Sequence, residues 1–133
     1  MNILDLSWSR SSVPHRRGGR IDKPCWEEIA DQLRMCFRDS GTVGLEAESD
    51  AGESRTLQVR SERGRHLITM GLEIHGEWVV REYNNPVIKM SDSRVDILGD
   101  MWSEKIICYD WDVVLDIFKD FFEFGEIGNV NFG

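Results

Sequence analysis

The sequence predicts an α+β fold, in which an antiparallel sheet of about five to six strands is packed by an N-terminal and a C-terminal helix. Two observations support this class. Residues 42–83 contain successive runs of alternating apolar and polar residues joined by short glycine-containing turns, which is typical of an antiparallel meander. A segment near each end of the chain repeats apolar residues at helical spacing. The length of 133 residues predicts one domain, spanning 1–133.

The N-terminal third is predicted to contain a strand, a loop and a helix. Asn2 to Ser9 alternate loosely and predict an edge strand, whereas residues 10–23 contain a proline and a glycine pair and predict a loop. The first helix is predicted from about Pro24 to Arg38, with Asp22 as its N-terminal cap. Its apolar face is formed by Trp26, Ile29, Ala30, Leu33 and Phe37.

The meander is predicted to consist of four strands with one apolar side each. These strands are Thr42–Glu48, Thr56–Arg60, His66–Ile74 and Glu77–Tyr83. Their inward residues are predicted to be Val43, Leu45, Ala47, Leu57, Val59, Ile68, Met70, Leu72 and Ile74. Short strands are expected near Val95–Leu98 and near Lys105–Cys108.

The last helix has the clearest local signals. Asp110 is placed to cap it, and Gly125 is placed to end it. One side is apolar and consists of Val114, Ile117, Phe118, Phe121 and Phe122. The opposite side is an acidic stripe of Asp112, Asp116, Asp120 and Glu123, as expected for a solvent-facing surface.

Negative charge is concentrated near the C-terminus. Residues 92–133 contain ten acids and three bases, so they carry −7 of the formal net charge of −8. Because apolar and aromatic residues are interleaved with these acids, the segment is predicted to be folded. An ordered surface with one dominant sign of charge is suited to a basic partner, and direct binding of nucleic acid is not expected.

Catalytic and metal-binding patterns are not found in the sequence. His15, His66 and His75 are scattered, so no zinc site, other metal site or cofactor is predicted. Cys25 and Cys36 lie three helical turns apart and are predicted to be core residues. With Cys108 they make an odd number without CxxC spacing, which indicates reduced thiols and a cytoplasmic location. We therefore do not expect an enzyme.

Two features of the N-terminal region concern ligand binding and targeting. The stretch Arg16–Arg20 contains a glycine pair between arginines and is compatible with phosphate or RNA binding, but also with a simple connector. The first ten residues contain Asp5 and no apolar run, so neither a signal peptide nor a membrane span is predicted.

A candidate partner-binding surface is predicted around two tryptophans. In residues 92–104 the acids recur every four residues, with Met101 and Trp102 among them, a composition typical of an interface hot spot. Trp78 is a second possible anchor, although core packing of either tryptophan is equally compatible with the sequence. The candidate residues are Glu77, Trp78, Glu82, Asp92, Asp96, Asp100, Trp102 and Glu104.

The order of short motifs resembles a family of small bacterial domains and is similar to the immunity proteins of polymorphic-toxin and contact-dependent growth inhibition systems. The motifs are Gly18–Arg20, Pro24–Ile29, Ser40–Val43, Leu57–Arg60, Asn85-Pro86, Ile97–Trp102 and Phe121–Gly125. The resemblance implies an α+β domain with a short final strand such as Asn129–Phe132. It also implies an inhibitor of a co-encoded toxin, and it transfers no binding residue.

The function expected from these observations is that of an immunity protein. It would bind a cognate toxin domain, commonly a basic nuclease, and occlude the active site of that toxin with acidic side chains. The alternative is a non-enzymatic adaptor or regulatory domain without a toxin partner. A small-ligand-binding domain or an enzyme is the remaining class, and the sequence leaves the oligomeric state open.

Overall fold

The structure is a computed structural model that describes residues 2–11, 17–88, 91–127 and 132–133. It contains two helices, α1 (Trp26–Asp39) and α2 (Trp111–Phe124). The main sheet has seven strands, six of which lie side by side: β1 (Asn2–Arg10), β2 (Arg17–Asp22), β3 (Gly41–Glu48), β4 (Ser54–Glu62), β5 (Arg65–Ile74) and β6 (Glu77–Glu82). All neighbours are antiparallel, in the order β2-β1-β3-β4-β5-β6. The α+β class and the central meander are confirmed.

Both helices pack on one face of the sheet and build the main core. The core joins apolar residues of α1 and α2 to the inward side chains of the strands, including Leu6, Leu33, Leu57, Ile68, Val114, Ile117, Phe118 and Phe121. These side chains are at most 1% exposed. Burial of this apolar surface is the main contribution to the stability of the fold.

The N-terminal prediction needs two corrections. Residues 17–22 form β2 and not a loop, and β1 lies between β2 and β3 and is therefore not an edge strand. The glycine pair serves packing here, because a Cβ atom at Gly19 would lie 2.4 Å from Cζ2 of Trp8. Residues 12–16, which include His15, Pro14 and Arg16, lie outside the described residues.

The start of α1 also differs from the prediction. Asp22 belongs to β2, so it does not cap the helix, and Cys25 occupies the N-cap position. The Glu28 Oε1 atom accepts a hydrogen bond of 2.9 Å from the backbone N–H of Cys25. A glutamate at the third helical position thus satisfies a backbone donor at the helix start.

The predicted ends of α2 are confirmed. Asp110 Oδ1 accepts a hydrogen bond of 3.0 Å from the backbone N–H of Asp112. At the other end Gly125 has φ 71, and its N–H donates to the Phe121 carbonyl at 2.8 Å. Glycine adopts this left-handed conformation without a steric penalty, and for that reason the helix ends there.

Three residues predicted in the core are exposed. Cys25 lies at the surface, whereas Cys36 is buried as expected. Phe37 is 48% exposed at the end of α1, although its ring contacts Trp111 with 4.9 Å between centroids. Ile74 is 37% exposed because it precedes the turn between β5 and β6, beyond the edge of the helix layer.

A hairpin and a short strand follow the meander. The hairpin consists of β7 (Arg94–Ile97) and β8 (Asp100–Ser103), and β9 (Ile107–Cys108) pairs with the start of β5. The predicted strand near residues 95–98 is confirmed, and β8 was not predicted. In the predicted strand 105–108 only the last two residues are extended, because residues 104–106 form a 3-10 turn.

The C-terminal strand predicted at Asn129–Phe132 lies mostly outside the described residues. Phe132 forms an isolated antiparallel bridge with Tyr83. The backbone of Gly133 makes two hydrogen bonds of 3.0 Å with Glu82, one in each direction. The end of the chain therefore pairs with the end of β6.

Candidate interaction surface

The face of the sheet opposite the helices, called here the open face, is mostly polar. Because side chains alternate along a strand, the neighbours of the core residues on β3 and β4 point to this face, among them Thr42, Gly44, Thr56 and Gln58. A shallow cavity of about 390 Å³ lies between these residues and Ser7 of β1. The β7–β8 hairpin covers one end of the open face, near β4 and β5.

The hairpin is held on the open face by a second, smaller apolar cluster. Leu67 of β5 points away from the helices and packs with Ile97 and Ile107, all at most 2% exposed. The turn of the hairpin is also fixed, because Glu62 Oε1 accepts a hydrogen bond of 3.1 Å from the Leu98 N–H. The hairpin is thus a packed part of the structure.

Trp78 is an exposed aromatic residue on the open face. Its side chain is 54% exposed, and its ring lies over Gly71 of the adjacent strand. A Cβ atom at Gly71 would lie 2.1 Å from Cζ2 of Trp78, so glycine is required for this packing. A large side chain held on one side and open to solvent on the other has the properties of an interface anchor.

Trp102 is only partly accessible, because it packs against the second cluster. The guanidinium of Arg60 lies 6.0 Å from the centroid of its ring and 3.5 Å from the carboxylate of Asp100. Its indole Nε1 is buried and has no hydrogen-bond partner among the described residues. Trp102 therefore supports the hairpin more than it offers a free contact surface.

The two tryptophans flank a strip of the open face. Along β4, the Trp78 ring lies beside Thr56, which pairs with Gly71. The Trp102 ring lies beside Arg60, four residues further along the same strand. At the usual rise per residue this separation is about 13 Å. The Gln58–Thr69 pair lies between them. The strip between the two rings is therefore as long as about four residues of an extended chain.

The predicted acidic residues are divided between faces. Glu82 shares the open face with Trp78, but Glu77 points to the other side, since consecutive residues of a strand alternate. On the hairpin Asp96 pairs across strands with the exposed Met101 on the outer side, and Asp92 is exposed nearby. Glu104 accepts a hydrogen bond of 3.2 Å from Ser91 Oγ.

The acidic stripe of α2 lies on the opposite side of the molecule. Asp112, Asp116 and Glu123 are exposed on the helix layer, and Glu123 forms an ion pair of 3.3 Å with Lys119. The ammonium of Lys119 also lies 4.6 Å from the ring centroid of Trp26. The C-terminal surplus of carboxylates thus forms two separate surfaces.

One acidic group on the open face was missed by sequence analysis. Asp5 of β1 is 4% exposed and accepts a hydrogen bond of 2.8 Å from the Arg20 guanidinium. Its carboxyl group also shares a hydrogen bond with Glu46, which raises the pKa of Glu46 above its usual value. The only sequence signal is the position of Asp5 between two leucines, where the alternation of β1 shifts at a bulge.

Buried polar residues occur on the helix side of the sheet. His66 is 1% exposed, its Nδ1 lies 2.8 Å from Ser61 Oγ, and desolvation lowers the pKa of His66 to about 4. Desolvation also raises the pKa of the Cys36 thiol to about 11 and that of Cys108 above its usual value. Both thiols are therefore protonated at neutral pH, which disfavours a nucleophilic role.

In the described part of the chain, no grouping of three or more His, Cys, Asp or Glu side chains suited to a metal ion occurs. Neither described helix is long and apolar enough to cross a bilayer.

These features define a small α+β protein with one antiparallel sheet, two helices on one face and a polar, partly covered second face. The chain belongs to a family of unknown function, DUF6911, whose sequence profile matches residues 8–130. It is also similar to a hypothetical protein from Neisseria gonorrhoeae with a known crystal structure, with a TM-score of 0.74 and 16% sequence identity. The alignment covers 97% of this chain and 93% of that one. At this identity the likeness concerns the fold alone. No curated protein matches the chain.

Proposed function

We propose that this protein is an immunity protein that binds a basic toxin domain and neutralises it by occluding its active site. The observation that carries the proposal is the exposed Trp78 on an open sheet face whose margins carry carboxylates. Glu82 lies on the same strand and face, Asp96 lies on the hairpin that borders this face, and Asp92 lies just before that hairpin.

The charge of the protein supports a cationic partner. A formal net charge of −8 attracts a basic domain over long range and raises its association rate. At physiological ionic strength the Debye length is about 8 Å, so this attraction weakens as salt is added. Acids that stand where a nuclease expects phosphates would also fix the orientation of the complex.

Exposed apolar side chains would add short-range affinity to the long-range attraction between charges. Trp78 is 54% exposed and Met101 is 55% exposed, and each stands next to acidic residues. Interfaces commonly combine such aromatic or methionine anchors with a polar rim. Occlusion of this kind needs no catalytic group on the inhibitor.

The experiment that tests this function compares two charge-reversal variants. The first changes Glu82, Asp92 and Asp96 to lysine on the open-face side. The control changes Asp116, Asp120 and Glu123 of α2 to lysine, so the net charge changes equally on the opposite layer. The probe is the product of the gene immediately upstream, tested as the candidate toxin. Association kinetics are measured at low and high salt, and protection is measured in cells that express the toxin.

The first variant should remain folded, associate at least tenfold more slowly at low salt and protect poorly, because it lacks the carboxylates that face the partner. The α2 control should retain protection. Equal losses in both variants would mean that only net charge matters and that the surface assignment is wrong. An upstream gene without a toxin-like product, or a product that the wild-type protein does not bind, favours an adaptor instead.

A further inference from the structure

The outer edge of β6 is only partly paired within the part of the chain that the structure describes. The turn His75-Gly76 has φ 52 and 79 and places Ile74 opposite Glu77. Backbone groups of an antiparallel strand alternate in direction, one residue bonding to each side in turn. The backbone N–H of Tyr83 donates to the Ile68 carbonyl of β5 at 3.0 Å. In contrast, the N–H and the carbonyl of Glu82 both form hydrogen bonds with the backbone of Gly133, on the outer side of β6. The backbone groups of Trp78 and Val80 therefore also point outward.

Gly133 satisfies only the last of these outward positions. It bonds to Glu82, and in the described part of the chain no other segment pairs with the backbone of Trp78 or Val80 on that side. The side chains there are apolar and accessible, with Trp78 54% and Val80 58% exposed. An exposed strand edge with apolar side chains is a template for pairing with another chain.

We propose that residues 78–80 of β6 accept an extended strand of the toxin domain, which continues the sheet beyond its present edge. This inference rests on the proposed function and specifies how the partner binds. Main-chain hydrogen bonds to Trp78 and Val80 would supply affinity, and the alternating side chains would supply specificity.

Charge complementarity selects a basic strand as the occupant. Glu77 and Glu82 flank the free segment, Glu82 on the open face and Glu77 on the other, and they outnumber the one cation of the strand, the exposed Arg81 on the same face as Glu77. An added strand with lysine or arginine at positions near both ends would approach a carboxylate on each side. Apolar residues between them would contact Trp78 and Val80.

A proline substitution tests the backbone contact directly. Val80→Pro removes an N–H that points outward and has no partner among the described residues, and edge strands tolerate proline in this orientation. Val80→Ala is the matched control, because it shortens the side chain and keeps the N–H. Binding of the product of the upstream gene to each variant is measured by titration calorimetry, and thermal melts of both variants check the fold.

Val80→Pro should bind at least about tenfold more weakly than Val80→Ala, since the partner carbonyl would lose its donor. Equal affinities would overturn the edge proposal, while the charge-reversal experiment would still decide the proposed function. Failure of the wild-type protein to bind would overturn both. A wild-type dimer in sedimentation analysis that Val80→Pro abolishes would assign the edge to a second copy and also overturn the proposal.

A second pair of variants keeps the test decisive if Val80→Pro does not fold. Val80→Lys and Val80→Glu both keep the N–H and have side chains of similar length. Against a basic strand the lysine variant should bind at least threefold more weakly than the glutamate variant, and equal binding would contradict the inference. Hydrogen exchange adds a local measurement, in which the amides of Trp78 and Val80 should exchange rapidly in the free protein and become protected in the complex.

Discussion

The two faces of the sheet differ in what they bury. The helix-covered face packs the residues of α1 and α2 against β1 and β3–β5 in one continuous apolar core. Among the described residues the open face carries the smaller cluster of Leu67, Ile97 and Ile107 under the hairpin, and much of the remaining face is polar, with the exposed Trp78 and Val80 on β6. The helix-covered face therefore supplies most of the buried apolar surface, and the open face is the one on which we propose that a partner binds.

The largest expected effect is on the helix-covered face. Phe118 is completely buried on α2, so Phe118→Ala should lower the free energy of unfolding by about 3–5 kcal/mol through lost burial and a cavity. Denaturant titration measures this loss. Phe124 lies on the same helix but is 69% exposed, so Phe124→Ala is the control and should change stability by less than about 1 kcal/mol. Similar losses in the two variants would contradict the assignment of the core to this side of α2.

The second effect concerns the hairpin on the open face. Ile97 is completely buried in the small cluster, and Ile97→Ala should cost about 2–5 kcal/mol, the range for a buried isoleucine. Because the cluster is separate from the main core, the loss should appear first as faster hydrogen exchange in β7 and β8. Met101→Ala, at an exposed position of the same hairpin, should leave exchange unchanged. Uniform acceleration throughout the sheet would show that the two faces unfold as one unit.

The third effect depends on pH and belongs to the helix-covered face. The pKa of His66 in the folded state is about 4, below the ordinary value of about 6.5. Between these two pH values His66 binds a proton only when the protein unfolds. Its effect on the free energy of unfolding is therefore absent above pH 7, and the protein becomes less stable as the pH falls from 6.5 towards 4. At pH 5 the free energy of unfolding should be about 2 kcal/mol lower than at pH 7 because of His66. Denaturant titrations at pH 7.5 and 5 should show a smaller difference in His66→Gln than in the wild type.

The control for this prediction is His75→Asn, at the exposed turn between β5 and β6. It should keep the wild-type difference in stability between the two pH values. An unchanged difference in His66→Gln would indicate that carboxylates alone cause the acid sensitivity.

Much of the fold could be predicted because alternation and helical spacing are local signals. The strands β3 to β6 and both helices follow from them with shifts of one or two residues. β2 could not be predicted, since Gly18-Gly19 is a typical loop signal and the reason for Gly19 is the Trp8 ring on the neighbouring strand. That contact depends on strand pairing, which local composition does not specify.

The candidate surface was predictable only in part for a related reason. Alternation along the strand already places Glu77 and Trp78 on opposite faces. The sequence-based prediction nevertheless assigned both residues to one binding surface. Which side the helices cover is a tertiary property, so the exposure of Trp78 and the partial burial of Trp102 required the structure. Asp5 and Arg20 are brought together by the pairing of β1 with β2. Because the sequence predicts a loop at residues 17–22, it does not predict this contact.

The smallest expected effect concerns this ion pair on the open face. Asp5 is 4% exposed, and Arg20→Ala would remove the guanidinium that binds it, leaving a buried carboxylate beside Glu46. Because the Arg20 side chain is itself 66% exposed, the solvent-screened loss should be about 1 kcal/mol at pH 7. Arg34→Ala breaks an ion pair with Asp31 on exposed α1 and should cost at most about 0.5 kcal/mol. Thermal melts of the two variants measure the difference. If Arg20→Ala is no more costly than Arg34→Ala, water replaces the guanidinium at Asp5, and this corner of the open face is more hydrated than its burial indicates.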